Sequence, residues 1–163
     1  ISACLVGSEM CIRDRYKLAG KTQGSMFFNP AKYKAYSNSS FGTHKDEIDV
    51  AAYTASDGKH YFLNPANKET QNLFVADGMD YDASTMRTTK FIPLDAVNFD
   101  LAGDAELERM DFSKAVDKVE VTTGSVIGFE NQDGRRGIMN VKISSSIYPT
   151  IQCKFQAVAK KQE

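Results

Sequence analysis

Two stretches near the end of the chain alternate strictly between apolar and polar residues, and this period of two constrains the fold more than any other feature. Met139, Val141 and Ile143 share one face against Asn140 and Lys142; then Ile151, Cys153, Phe155 and Ala157 oppose Gln152, Lys154 and Gln156. Successive side chains of an extended chain point to opposite faces, so each stretch reads as a strand with one buried and one wet face. Val126-Ile127-Gly128-Phe129 precedes them, and Asn131-Gln132-Asp133-Gly134 and Ser144-Ser145-Ser146 with Tyr148-Pro149 supply the turns. The spacing predicts a three-strand antiparallel meander over Val126–Val158.

The rest of the chain is less regular. Ser25-Met26-Phe27-Phe28 stops at Asn29-Pro30 and reads as a short strand; Lys32-Tyr33-Lys34-Ala35-Tyr36 fits a second strand or one helical turn. Ile48–Thr54 and His60–Leu63 flank Ser56-Asp57-Gly58-Lys59, which predicts a hairpin. Asn64-Pro65-Ala66 can open a helix running through Gln71 to Leu73, with Pro65 at its first position. Asp95 and Asp104 suit the N-caps of two further short helices, and Leu107 and Met110 stand at helical spacing. The expected fold class is α+β, a mainly antiparallel sheet ending in the meander plus short helices between Ala66 and Met110. An all-β sandwich or small barrel is the alternative.

Residues Ile1 to Arg15 stand apart. Cys4-Leu5-Val6-Gly7-Ser8-Glu9-Met10-Cys11-Ile12-Arg13-Asp14-Arg15 resembles a translated sequencing adapter, because Leu5 to Asp14 reads back codon by codon as adapter sequence. On that resemblance residues 1–15 are a scar to be excluded from fold reasoning, and 16–163 form a single, N-terminally truncated domain. Residues 1–15 are then expected to lie apart from the core, and the native start, with any signal segment, upstream of Tyr16. Cys4 and Cys11 drop out as a disulfide or zinc half-site, which leaves Cys153 alone on the apolar side of its strand as a small buried hydrophobe.

Charge excludes some partners. The chain carries 20 Lys and Arg against 21 Asp and Glu, a net charge of −1. Residues 1–15 hold two of each sign, so their removal leaves the balance unchanged. Scattered, near-neutral charge lacks the basic footprint of a nucleic-acid binder or of a segment that binds anionic membranes. No apolar run approaches the roughly 20 residues that span a bilayer as a helix.

Each motif that hints at chemistry fails a spacing test. Gly20-Lys21-Thr22 copies the end of a phosphate-binding loop, yet that loop needs a glycine at position 15, where Arg15 stands. Asp77-Gly78-Met79-Asp80-Tyr81-Asp82 gathers carboxylates, but an EF-hand register from Asp80 needs glycine at Thr85 and glutamate at Phe91. His44 and His60 have no partner at metal spacing. Ser56, Asp57 and His60 are too close in sequence to converge as a triad and read as a turn. Glu106 with Glu108, or Asp46 with Asp49, pair carboxylates as chance allows in an acid-rich chain. Phe27, Phe28, Tyr33, Tyr36, Tyr53, Tyr61 and Phe62 read as core rather than as a stacking platform. Asn38-Ser39-Ser40 matches a glycosylation sequon. No catalytic, cofactor-binding or metal residue is assigned.

Three segments in order carry a resemblance: Ile48–Tyr53 with Leu63-Asn64-Pro65-Ala66-Asn67, then Arg87-Thr88-Thr89-Lys90-Phe91, then Gly124–Phe129 with Asp133–Lys142. Over residues 24–158 the order resembles uncharacterised secreted or lipid-anchored surface domains of Gram-negative gut and oral bacteria. The resemblance implies an extracellular, cell-surface or periplasmic location, and no reaction. The expected function is therefore a non-catalytic domain that binds a glycan, peptide or partner protein. The alternatives are a hydrolase-type enzyme built from dispersed carboxylates such as Asp46, Asp49, Asp77 and Asp80, and a structural domain of a larger surface protein.

Overall fold

In the computed structural model, which describes residues 10–12, 16–17, 25–143 and 149–156, alternation along each strand sorts side chains between an inner layer and two outer ones. One sheet is ordered β1 (Met10–Ile12), β11 (Pro149–Gln156), β10 (Arg136–Ile143), β9 (Val126–Asn131), β7 (Thr89–Pro93), with β2 (Tyr16–Lys17) also on β11. The other is ordered β4 (Lys34–Ser37), β3 (Ser25–Asn29), β5 (Val50–Thr54), β6 (His60–Leu63), β8 (Lys118–Val121). Every described pairing is antiparallel. The sheets share one buried cluster, to which the first contributes Phe91, Phe129, Met139, Val141, Ile151, Cys153 and Phe155 and the second Phe28, Val50, Ala52, Phe62 and Val121. The described strands form two open sheets with a few short helices, and no closed barrel.

The meander forms as the period of two requires. Ile127 faces Met139 across β9 and β10, and Met139 faces Cys153 across β10 and β11, all inside the inner cluster. Cys153 is free and fully buried, and burial pushes its thiol far above the ordinary range. Gly137 has a packing reason: a Cβ there would stand 2.5 Å from the Phe129 ring and 2.8 Å from the Lys154 carbonyl oxygen.

The opposite face of the meander is wet only in part: Lys142 is exposed and Asn140 and Gln152 are half-buried, but the rest is covered. Ile138 packs with Phe99, Ala102, Leu107 and Met110 under α2 (Asp104–Arg109), and Lys154 and Gln156 are buried. Two cations dock this cover. Lys154 Nζ donates to the carbonyls of Phe99, Asp100 and Ala102 at 2.6, 3.1 and 2.9 Å. Arg136 Nη1 donates to the carbonyls of Leu107, Glu108 and Met110, the open C-terminal end of α2. Lys154 and Arg136 on that face therefore signal a polar attachment point rather than solvent. Burial lowers the Lys154 pKa, and the three acceptors replace lost water.

On the far side of the second sheet α1 (Lys68–Ala76) lays Phe74 against Phe27 and Tyr81, and Phe41 stacks on both of these rings. A bulge between Ser25 and Phe27 breaks alternation, so Met26 and Phe27 both join this outer cluster while Phe28 turns inward. Phe27, Phe28, Phe62 and Tyr33 are buried, and Tyr36, Tyr53 and Tyr61 half-buried, as a core role for these aromatics requires.

Three helix expectations change. α1 begins at Lys68, not Pro65, because Asn67 caps it by accepting from the Glu69 N–H at 2.8 Å. Asn64 instead ties the sheets: its side chain donates to Asp117 and accepts from the Ala66 and Thr89 N–H groups. Asp95–Phe99 forms no helix, since the Leu94 N–H stays bonded to the Val126 carbonyl and Asn98 then turns the chain. Gly103, not Asp104, is the N-cap of α2, with the Glu106 carboxylate accepting from its N–H at 2.7 Å.

Of the stretch that the adapter resemblance sets apart from the core, Met10–Ile12 is described and forms an edge strand of the first sheet. Met10, Cys11 and Ile12 pair with Gln156, Phe155 and Lys154. An exposed sheet edge presents unpaired N–H and C=O groups, which an extended segment can engage through its backbone alone. Cys4, Leu5, Gly20-Lys21-Thr22 and the polar tail Ala159–Glu163 lie outside the described residues.

His60 lies in the β5–β6 hairpin, where Gly58 takes φ 85°, and its Nδ1 stands 2.9 Å from Thr54 Oγ1. Burial holds the imidazole below its ordinary value of 6.5. The unfolded chain therefore takes up a proton that the folded one refuses, and stability should fall as the pH drops below 6.5. Urea unfolding from pH 8 to 5 should show this decline in the wild type and a shallower one in His60→Gln; identical slopes would rule His60 out as the group responsible.

Candidate functional site

Asp49 stands at the end of an acidic run and one residue before β5, a position from which its side chain reaches into the gap between the sheets. It is 2 % exposed and both carboxylate oxygens are engaged. Oδ1 accepts from Arg87 Nε at 2.8 Å, and Oδ2 accepts from Asn131 Nδ2 at 3.0 Å. Arg87 precedes β7 and Asn131 ends β9, so a carboxylate at the start of a strand of one sheet is held by donors at the ends of two strands of the other. Burial pushes the Asp49 carboxyl above its ordinary value, opposed by the Arg87 and Asn131 donors. Burial also works against the Arg87 charge, yet its bonds to Asp49 and Asp133 outweigh it and raise the pKa.

The turn from β9 to β10 completes this arrangement. Asn131 Oδ1 accepts from the Asp133 and Arg135 N–H groups, each at 3.0 Å, while Gly134 takes φ 76°. The turn thus holds Asp133 where Arg87 Nη2 donates to it at 2.6 Å. It also places Arg135 on the far side, with its guanidinium 4.2 Å above the Phe155 ring and its Nε donating to the Gln156 carbonyl at 2.8 Å. Burial lowers the Arg135 pKa, against the attraction of Asp49 and Asp133.

A second cluster forms the opposite wall. Glu47 accepts from Lys32 Nζ at 2.6 Å and from the Tyr36 hydroxyl at 3.1 Å, and lies 3.3 Å from His44 Nδ1. The His44 ring stacks on Tyr36 with centroids 4.1 Å apart. The Lys32 hydrogen bond chiefly holds the Glu47 carboxyl below its ordinary value. Between the walls is an open cleft of about 170 Å³, lined by Asn29, Ala31 and Lys32 from the β3–β4 turn, Asp46, Glu47 and Asp49, then Arg87, Asn131, Asp133 and Arg135. Such a volume suits one small polar group rather than a drug-sized ligand.

Of the four dispersed carboxylates, the fold brings Asp46 and Asp49 to this cleft and leaves Asp77 and Asp80 out of it. Asp77 ends α1, and Asp80 is exposed in the following loop. Asp82 caps a short turn by accepting from the Ser84 N–H and hydroxyl, and the Tyr81 hydroxyl donates to the Pro65 carbonyl. Glu106 is engaged at the α2 start, away from the cleft. Among the described residues no group of three or more His, Cys, Asp or Glu is arranged to hold a metal ion. Sequence patterns single out none of Arg87, Asn131, Asp133 or Arg135 as site residues. The one legible signal is that all four stand at strand ends or in a turn, where charged side chains can converge.

Fold and site together define a two-sheet, mostly antiparallel domain with short helical covers and a polar cleft at the junction of its sheets. No family model matches the chain, and no curated protein matches it by sequence. Its fold is similar to the crystal structure of a DUF4466 family protein from the gut bacterium Parabacteroides merdae, with a TM-score of 0.70 at 15 % identity. The match covers 91 % of this chain and 54 % of that one, so the chain spans about half the length of that structure.

Replacing Asp49 removes the acceptor for Arg87 Nε and Asn131 Nδ2 in a buried setting. Asp49→Ala should cost about 3 kcal/mol, and Asp49→Asn less, measured by urea unfolding. A loss below about 0.5 kcal/mol for the alanine variant would mean that the sheets are not held together here.

Proposed function

We propose that the domain is a non-catalytic binding module that takes a glycan, peptide or partner protein at the Asp49–Arg87 cleft. The observation that supports this most is the engagement of both Asp49 oxygens by fixed donors. A carboxylate so held positions its neighbours, whereas a general acid or base needs an oxygen free to exchange a proton with substrate. Around it, Lys32, Glu47, Arg87 and Asp133 are ordered by mutual hydrogen bonds before any ligand arrives, which reduces the ordering cost of binding. The hydrolase alternative draws on the presence of Asp46 and Asp49 in one cleft, and the structural alternative on the small size of that cleft.

We also propose that the domain works outside the cytoplasm, on the cell surface or in the periplasm. The resemblance to exported domains of gut and oral bacteria supports this. Antibody raised against the domain should label intact or outer-membrane-permeabilised source cells; labelling only after lysis of the inner membrane would sink this placement.

Immobilised domain probed with glycan and peptide libraries should capture a defined subset. Ala31 is exposed and lines the cleft, so Ala31→Trp should obstruct it and abolish capture without lowering the unfolding midpoint. Capture that survives Ala31→Trp would place the site elsewhere. Release of cleaved product would favour the hydrolase, and the absence of any capture the structural domain.

A further inference from the structure

Within the cleft most charged groups are already paired, and among the described residues Asp46 and Arg135 are the two without an ion pair. Asp49 and Asp133 share Arg87, and Glu47 takes Lys32. Asp46 sits at the exposed rim. Arg135 is half-buried and makes no ion pair with any described residue, although it lines the same cleft. Among the described residues its guanidinium makes one hydrogen bond, from Nε to the Gln156 carbonyl, and its flat face rests on Phe155. Those two contacts fix the plane of the guanidinium and leave the edge formed by its two terminal nitrogens without a partner among the described residues. A planar pair of N–H donors with fixed orientation and no counter-ion matches the two oxygens of a carboxylate.

We propose that Arg135 receives a carboxylate of the ligand, so that the cleft selects acidic ligands over their uncharged counterparts. The idea rests on the binding-module reading and narrows it. Arg87 offsets one of the two charges of Asp49 and Asp133 and Lys32 offsets that of Glu47, so the attraction for an anion comes from direct pairing with Arg135 rather than from the field of the whole cleft. A carboxylate can come from an acidic sugar or from a peptide, and the two sources offer Arg135 the same pair of oxygens. Phe155 beneath the guanidinium partly excludes water, which strengthens each charge-assisted bond.

The test is an amide and arginine side-chain NMR titration with four probes: galacturonate, its methyl ester, N-acetylalanine and N-acetylalanine amide. Either acid should shift the Arg135 Nε–H and the 133–136 amides, and its uncharged partner should not. A response to galacturonate alone would point to a glycan, and one to N-acetylalanine alone to a peptide. Arg135→Gln should weaken the acid response at least about tenfold, with Arg135→Lys intermediate. The comparison of acid with ester in the wild type needs no variant, so it stands even if Arg135→Gln unfolds. Equal responses to acid and ester would overturn the carboxylate assignment and leave the cleft as a binding site. No response to either acid at millimolar concentration would overturn it too, while library capture and its loss in Ala31→Trp decide separately whether the cleft binds anything.

Discussion

A single buried carboxylate organises the junction of the two sheets. Asp49 leaves water to sit between Arg87 Nε and Asn131 Nδ2, and neither donor belongs to its own sheet. Burying a charge is costly unless hydrogen bonds replace its hydration, so the bond set is closed or the junction fails. Because hydrogen bonds are directional, this junction also sets the register of one sheet against the other more narrowly than apolar packing can. The open cleft follows from it, since Arg87 carries the order outward to Asp133 and Asn131 carries it to the backbone of Arg135.

The same solution recurs elsewhere in the molecule. Asn64 joins the end of β6 to Thr89 at the start of β7 and to Asp117 before β8. Lys154 and Arg136 each gather three carbonyls of the segment around α2. Lys154 and Arg136 are strand side chains that satisfy carbonyls an irregular segment leaves open, and Asn64, one residue past β6, closes the Thr89 N–H. Apolar burial supplies the drive to close the layers, and these polar contacts choose which loop lies over which face.

Much of the fold was legible because it depends on neighbours in sequence. The β9–β11 meander and the β5–β6 hairpin follow from alternation and turn residues, both of which are local. Helix starts were less legible. Pro65 and Asp104 both stand near the observed starts, but the cap falls to whichever residue has a free side chain or a suitable backbone, and Asn64 is drawn away to Asp117 and Thr89. Lys154 and Gln156 read as solvent-facing because a polar residue on a strand gives no sign of the backbone groups that will meet it. Of the cleft, only Asp46 and Asp49 stood out beforehand, and as a weak pair. Arg87, Asn131 and Arg135 lie 38, 82 and 86 positions from Asp49 in sequence, beyond the reach of any spacing argument.

The sequence by itself determined the strands of the last third, the inward placement of Met139, Val141, Ile151, Cys153 and Phe155, and the near-neutral charge that argues against a nucleic-acid partner. These are properties of periodicity and composition. Only the tertiary structure decided that there are two sheets rather than one, that the segment around α2 covers part of the face expected to be wet, and that Asp49, Arg87, Asn131 and Arg135 meet around one cleft. The reason is the range of the forces involved: alternation acts between adjacent residues, whereas the pairing of a buried charge acts across space and is settled only when distant segments close together.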